Sequence, residues 1–372
     1  MARPLNFAVV GVGAQGSNWC RRLQKHPETN LVATVDCDER RAKAVAERTG
    51  APAHYKTPQE LFKQQRGLDA VVIATPHYLH APFTVLAAEN DVNVLCEKPM
   101  AITLQQCDEM IIAARKNCVK LAIGHQHRFD RVYEYLYDAM RGAEGELGSL
   151  GTITDITMTA RHYRGDIYYL GSTPVDPSTG VPAGPWRGRW LSEGGGILIN
   201  QAIHDIDFFR WITGPVESLS AHASTLAPNH ALIEVEDTVT ASFRLKSGAL
   251  GTMVIASSNK KPAPRRIVVH GTEGHLILEG NFVTVDTRYK DEEDYEVPFG
   301  APPRHNLLEN FVDAIREDKE PMCPGEEGRK AIEVVRAILL SNFFERTIRF
   351  PVRDMPYFPT VHNPLRDEPL EL

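Results

Sequence analysis

Gly11-Val12-Gly13-Ala14-Gln15-Gly16 stands directly after the apolar run Phe7 to Val10 and opens a segment of helical periodicity, Gln15 to His26. A strand that turns through three spaced glycines into a helix is a demanding arrangement. Gly11 permits the tight turn, Gly13 lets a ligand come close to the backbone, and Gly16 lets the helix pack against the strand. The N–H groups of the first helical turn, around Ala14 and Gln15, then point at the ligand and favour an anion such as a pyrophosphate. The six residues form a candidate dinucleotide cradle.

The same beat continues: Leu31 to Val35 then Glu39 to Thr49, Ala70 to Ala74 then Ala81 to Glu89, Val94 to Cys96 then Leu104 to Lys116, and Leu121 to Gly124. Short apolar runs alternating with helices predict a parallel sheet with crossover connections. The α/β fold class follows, with an N-terminal Rossmann doubly wound parallel sheet over residues 1–125. A chain of 372 residues exceeds one core, and its texture changes after a helix near Arg131 to Arg141. Leu150 to Thr159, Ser218 to Thr225, Thr238 to Leu245, Ala249 to Ser257, Ile267 to Gly271 and His275 to Leu278 alternate in polarity. These predict a large, mostly antiparallel open sheet. With an apolar helix from Gly196 to Thr213 and helices near Leu307 to Arg316 and Arg329 to Phe344, residues 126–350 read as an α+β domain. The Pro-rich residues 351–372 read as an extended arm.

Lys and Arg number 41 against 48 Asp and Glu, dispersed along the chain, so no basic stripe exists to bind nucleic acid. Apolar runs such as Ala70 to Ala74 fall far short of a bilayer span. The expectation is a soluble, unprocessed, cytoplasmic protein with no membrane or nucleic-acid partner. The six cysteines form no CxxC pair and imply no metal site.

Asp36 ends the second strand, twenty residues after Gly16. A carboxylate there accepts the ribose hydroxyls and repels a 2′-phosphate, which favours NAD. Arg40 and Arg41 begin the next helix and keep NADP as the alternative. Thr75 and Pro76 end another strand at the carboxyl edge, flanked by His77 and His80, where the nicotinamide half belongs.

Glu97-Lys98-Pro99 ends the next strand at that edge. A lysine desolvated there, beside the nicotinamide cation, has a lowered pKa suited to moving a proton. Pro99 is a candidate cis proline. Downstream, a triple glycine, Gly194 to Gly196, leads to Asn200, His204 and Asp207. Spacings of four and three place these polar groups on one face of an otherwise apolar helix, a candidate site wall.

These motifs, with Gly124-His125-Gln126, Arg128-Phe129 and Trp186-Arg187, resemble the Gfo/Idh/MocA oxidoreductase family over most of the chain. The resemblance implies a catalytic lysine at Lys98 and a catalytic histidine at His204. Asn200 occupies a position that is often Asp, and an amide can hold a hydroxyl but cannot relay a proton. Implied cofactor contacts are Gly11, Gly13, Ala14, Gln15, Gly16, Asp36, Thr75, Pro76, His80, Glu97, Lys98, Gln126, Trp186 and Arg187. Asn200, Arg161, Tyr163, Trp186 and His125 are the candidate substrate contacts. The aromatic loop from Arg161 to Trp190 could stack on a sugar face or pack for its own stability. The expected reaction is oxidation of a secondary hydroxyl on a sugar, glycoside or cyclitol, in a homodimer or homotetramer formed through the C-terminal sheet. A redox-neutral enzyme with tightly held NAD(H) and a non-catalytic sugar sensor are the alternatives. Lys98 and His204 weigh against the sensor.

Overall fold

The computed structural model describes residues 3–140, 150–165, 168–169, 186–230, 233–261, 263–280, 282–287, 290–296 and 306–352. They divide between two compact units.

The first unit runs to His125 and includes Leu307–Arg329. Its strands are β1 (Leu5–Val10), β2 (Thr29–Val35), β3 (Ala53–Tyr55), β4 (Ala70–Ile73), β5 (Asn93–Cys96) and β6 (Leu121–Ile123). They form one parallel sheet in the order β3-β2-β1-β4-β5-β6. That order reverses direction between β1 and β4, and the crevice at the carboxyl ends there is where such sheets hold ligands. Phe7, Ala8, Val9 and all of β4 are fully buried. Burial on both faces explains why these strands read as unbroken apolar runs. The crossover helices are α1 (Ala14–Lys25), α2 (Glu39–Thr49), α3 (Pro58–Gln64), α4 (His80–Ala88) and α5 (Leu104–Lys116). β3 and α3 were not expected from the apolar pattern. A three-residue, half-buried edge strand has no periodicity to detect, although the capping box formed by Thr57 and Glu60 marks the start of α3.

The helix Leu307–Arg316 was read with the second domain, yet it belongs to the first unit. Phe311 meets Phe7 edge-on at 6.2 Å. The following segment extends the β6 edge: Cys323 accepts the Ile123 N–H at 2.8 Å, and Pro324 bridges Ala122.

The second unit contains α6 (Arg131–Met140), then β7 (Ile153–Arg161), β8 (Val216–Ser224), β9 (Thr238–Leu245), β10 (Leu250–Ala256), β11 (Arg266–Gly271), β12 (Gly274–Glu279), β13 (Phe282–Thr287), β14 (Lys290–Glu296) and β15 (Ile348–Arg349). The nine strands run β14-β13-β12-β11-β7-β10-β9-β8-β15, and only the β7–β10 pair is parallel. Alternate residues of β9 are buried and exposed, the signature of a sheet with one covered face. The helix Ala202–Thr213 packs on that face through Phe209, whose ring lies 4.7 Å from Phe243. α6 joins it, with Tyr133 at 4.2 Å from Phe208 and Tyr137 stacked on Trp211. Of the expected arm, Pro351 and Val352 are described and the rest lies outside the described residues. Among the described residues no helix is long and apolar enough to cross a membrane.

Candidate active site

In the first unit the glycine turn is shaped by close approach of backbone. Gly11 has φ +84°, and a β-carbon there would lie 2.8 Å from the Ala74 carbonyl oxygen. One on Gly16 would lie 1.8 Å from the Gly11 carbonyl oxygen. A β-carbon on Gly13 would meet nothing within 4 Å. The turn is therefore closed on the protein side and open on the other, and no side chain caps the first turn of α1. That is the form a pyrophosphate needs, with Ala14 and Gln15 supplying the helix start.

Asp36, buried, accepts N–H bonds from Val12 and Asp38, each at 3.0 Å, and pairs with Arg41 at 3.3 Å. Arg41 is thus drawn to carboxylates, Asp38 included, rather than held as a ready phosphate contact. Thr75 follows β4 and carries a buried hydroxyl oxygen with no partner among the described residues, a polar atom that suits a bound polar group. His80 is 1% exposed, with ring nitrogens 2.7 and 2.9 Å from the carbonyls of Pro99 and Thr75. Burial pushes its pKa below the usual imidazole value, against those two carbonyls. His80 therefore sits between two loop segments, its one neutral N–H donated to one of the two carbonyls, rather than presenting that N–H to a ligand. Glu97 is likewise committed: it accepts from Trp19 Nε1 at 2.7 Å and Gln15 Nε2 at 2.8 Å, tying β5 to α1. The Lys98 N–H lies 3.3 Å from the other Glu97 oxygen, and the Lys98–Pro99 peptide is cis. Lys98 is so held at the carboxyl edge from both flanks. His125 is buried at the end of this unit, and Gln126 is exposed at the start of the next.

In the second unit the expected helix from Gly196 to Thr213 is two helices, Ile197–Asn200 and Ala202–Thr213. They break at Gln201 (φ −97°, ψ −48°), where His204 N–H reaches the Gln201 carbonyl at 3.3 Å. The glycines create this start. Gly194 (φ +85°) ends the turn Trp190–Glu193, and a β-carbon on Gly196 would lie 1.8 Å from the Glu236 carbonyl oxygen. Glu236, fully buried, caps Ile197–Asn200 by accepting from the Gly196 and Leu198 N–H groups. Burial raises its pKa to about 7.

Asn200 is buried and bonded to Glu193, with Tyr168 donating to its Oδ1 at 2.6 Å. Asp207 does not line the site: it forms a two-point ion pair with Arg128 at 2.6 and 2.8 Å, both side chains buried. The spacing argument put it on a polar face, but its carboxylate is taken up by the buried Arg128. His204 is half-buried, its ring edge-on to His127 at 4.8 Å. Arg161 ends β7, and Tyr163 bridges Ser258 and is 37% exposed. The Arg187 guanidinium lies over both Trp186 and Tyr168, at 4.6 and 4.5 Å. Much of the aromatic loop, residues 166–167 and 170–185, lies outside the described residues. Glu193 and His127 were not singled out in the sequence. A lone acidic residue abutting a triple glycine in an apolar run was the available signal for Glu193.

Among the described residues no group of His, Cys, Asp and Glu is arranged to hold a metal. Residues 5–125 match the "Oxidoreductase family, NAD-binding Rossmann fold" description, and residues 146–277 match the "GFO/IDH/MocA C-terminal domain". A myo-inositol 2-dehydrogenase from Thermotoga maritima is 27% identical over 337 residues, covering 88% of this chain and 93% of its own. A scyllo-inositol 2-dehydrogenase (NAD(+)) from Bacillus subtilis is 27% identical, covering 92% and 95%. The WlbA dehydrogenase from Bordetella pertussis, solved with NADH and UDP-GlcNAcA, superposes with a TM-score of 0.78 at 26% identity, covering 94% of this chain and 100% of that one. The open glycine turn and the two matched domains agree: the chain belongs to the Gfo/Idh/MocA oxidoreductase family, and its first unit is an NAD-binding Rossmann domain.

Proposed function

We propose that the protein oxidises a secondary hydroxyl of a sugar, glycoside or cyclitol to a ketone, with NAD as the hydride acceptor. The observation that carries this reading is how Lys98 is held. Glu97 anchors it to α1 through Trp19 and Gln15, and the buried His80 ring lies 2.7 Å from the Pro99 carbonyl behind it. A long, flexible side chain acts precisely only when its backbone is placed in this way. Gly11, Gly13, Ala14, Gln15 and Gly16 cradle the pyrophosphate, and Asp36 receives the adenosine ribose, which selects NAD over NADP. Thr75, Pro76, Gln126, Trp186 and Arg187 complete the nicotinamide side.

Lys98 polarises the oxygen of the reacting hydroxyl, and His204 takes its proton. An imidazole is suited to this because its ordinary pKa lies near neutrality. Arg161, Tyr163, Trp186 and Asn200 hold the remaining hydroxyls. Inositol dehydrogenases among the near full-length relatives make cyclitols the first substrates to try. Oligomers form through the outer face of the nine-stranded sheet, which light scattering on the purified protein checks.

A panel of inositols, monosaccharides, anhydrosugars and glycosides, assayed with NAD and NADP by nicotinamide fluorescence, tests the reading. At least one polyol is expected to reduce NAD faster than NADP. Failure of every polyol with both cofactors contradicts it.

A further inference from the structure

His204, His127, Tyr133 and Phe208 form a row of four rings in the second unit. His204 and Phe208 stand four positions apart on the helix Ala202–Thr213 and so share one of its faces. His127, from the turn Gln126–Phe129, lies edge-on to His204 with the ring centres 4.8 Å apart. Tyr133, from α6, lies edge-on to His127 at 5.3 Å and against Phe208 at 4.2 Å. Two rings of one segment thus cover two rings of the other.

The row is fixed at its buried end and tied near its exposed one. Phe208 is fully buried and Tyr133 nearly so. Arg265 lies over the Tyr133 ring at 5.3 Å, donates to its hydroxyl, and pairs with Asp205, the buried residue next to His204 in the chain. On the other side His127 Nδ1 lies 2.5 Å from the Asp130 carboxylate. A carboxylate only accepts, so Nδ1 is the nitrogen that donates. The Asp130 N–H closes the same turn by donating to the His127 carbonyl at 3.1 Å. An exposed pair of this kind contributes little stability, and its consequence is where the His127 ring lies.

A base at position 204 needs such a neighbour. His204 is half-buried in the first turn of its helix, and an imidazole ring turns broadly about its second side-chain torsion. A general base must bring its nitrogen within about 2.6–3.2 Å of the group it deprotonates, and a misplacement of about 1 Å can cost on the order of a hundredfold. The edge-on contact at 4.8 Å lies within the preferred separation of ring pairs and restricts that turning.

We propose that His127 is a positioning residue: held by Asp130 and Tyr133, it sets the plane of the His204 ring, so that the imidazole meets the reacting hydroxyl in one orientation. This rests on the polyol-oxidising reading above, in which His204 takes the hydroxyl proton. His127 acts through the shape of its ring and needs no proton of its own. A flat ring of similar size without a titratable nitrogen therefore serves in its place.

The test measures kcat and KM for the best polyol in His127→Ala, His127→Phe and Asp130→Ala. In His127→Ala, kcat is expected to fall about tenfold to hundredfold, while KM and the NAD affinity stay within about twofold of wild type. His127→Phe keeps a ring edge against His204 and should hold kcat within about threefold of wild type. Asp130→Ala keeps the ring but removes its tie, and should lower kcat by about threefold to tenfold. A cycle with His204→Asn separates positioning from general damage: once the base is gone, adding His127→Ala should change the residual turnover by less than about twofold. Circular dichroism reports whether each variant folds; if His127→Ala does not, His127→Phe and Asp130→Ala decide by the same comparison of kcat with KM. Polyol oxidation with kcat unchanged in His127→Ala and Asp130→Ala, a loss that His127→Phe shares, or an equal loss in the His204→Asn background overturns the His127 assignment alone. No NAD reduction by any polyol overturns the proposed function and the assignment together.

Discussion

The two units hold their candidate residues by opposite means. In the first, the means is backbone: glycines pressed against neighbouring carbonyls, with Glu97 and His80 turned inward as ties. In the second it is side chains: Asn200, Tyr168 and Gln201, with the buried carboxylates Glu193 and Glu236 bonded around them and around the Ile197–Asn200 helix start. A backbone site suits a cofactor that many enzymes share, since N–H groups and a helix end recognise any pyrophosphate. A side-chain site suits a particular substrate, because each donor or acceptor can be exchanged one at a time. The contrast also separates how the halves fail, by overlap in the first and by stranded charge in the second.

The largest effect is expected where the second unit loses one member of a buried ion pair. Asp207→Ala leaves Arg128 buried without its carboxylate and should cost about 3–5 kcal/mol, read as the urea midpoint. Gly16→Ala drives a β-carbon into the Gly11 carbonyl oxygen. It should cost about 2–3 kcal/mol and weaken NAD binding, read by quenching of tryptophan fluorescence.

Next is a pH effect confined to the second unit. Glu193 is raised to about 8 and Glu236 to about 7, from a model-compound value of 4.5. Between 4.5 and these values the folded state holds protons that the unfolded chain has released, so stability falls as pH rises. Thermal unfolding at intervals from pH 5 to pH 9 should show that decline, and Glu193→Gln should flatten its upper part. The smallest effect is in the first unit: Asp36→Ala frees Arg41 and should raise the use of NADP over NAD by about tenfold, a 1.4 kcal/mol change, in a cofactor competition assay.

Much of the fold was legible in the sequence because the parallel strands, buried on both faces, print themselves as continuous apolar runs. β14 was not, since its residues Lys290 to Glu296 are mostly charged. The place of Leu307–Arg316 in the first unit was not legible either. It depends on Phe311 reaching Phe7, some three hundred residues earlier, and no local pattern encodes that. The same division holds for the site. The glycine turn is a local motif, with strand, turn and helix contiguous. The partners of Glu97 lie on α1, Trp19 being 78 positions away. Asn200, His204 and Asp207 were read as one face of one helix. The break at Gln201 separates Asn200 from His204 and Asp207, the Arg128 pair takes up Asp207, and Glu193, outside the helix, is what holds Asn200.

Lys98→Ala, assayed on one sample for both NAD affinity and polyol oxidation, tests the central claim most directly. The account predicts a loss of turnover of about a hundredfold or more, with the NAD dissociation constant within about twofold of wild type, a difference under 0.5 kcal/mol. Wild-type turnover in the variant, or loss of NAD binding in parallel with activity, contradicts a catalytic role for Lys98.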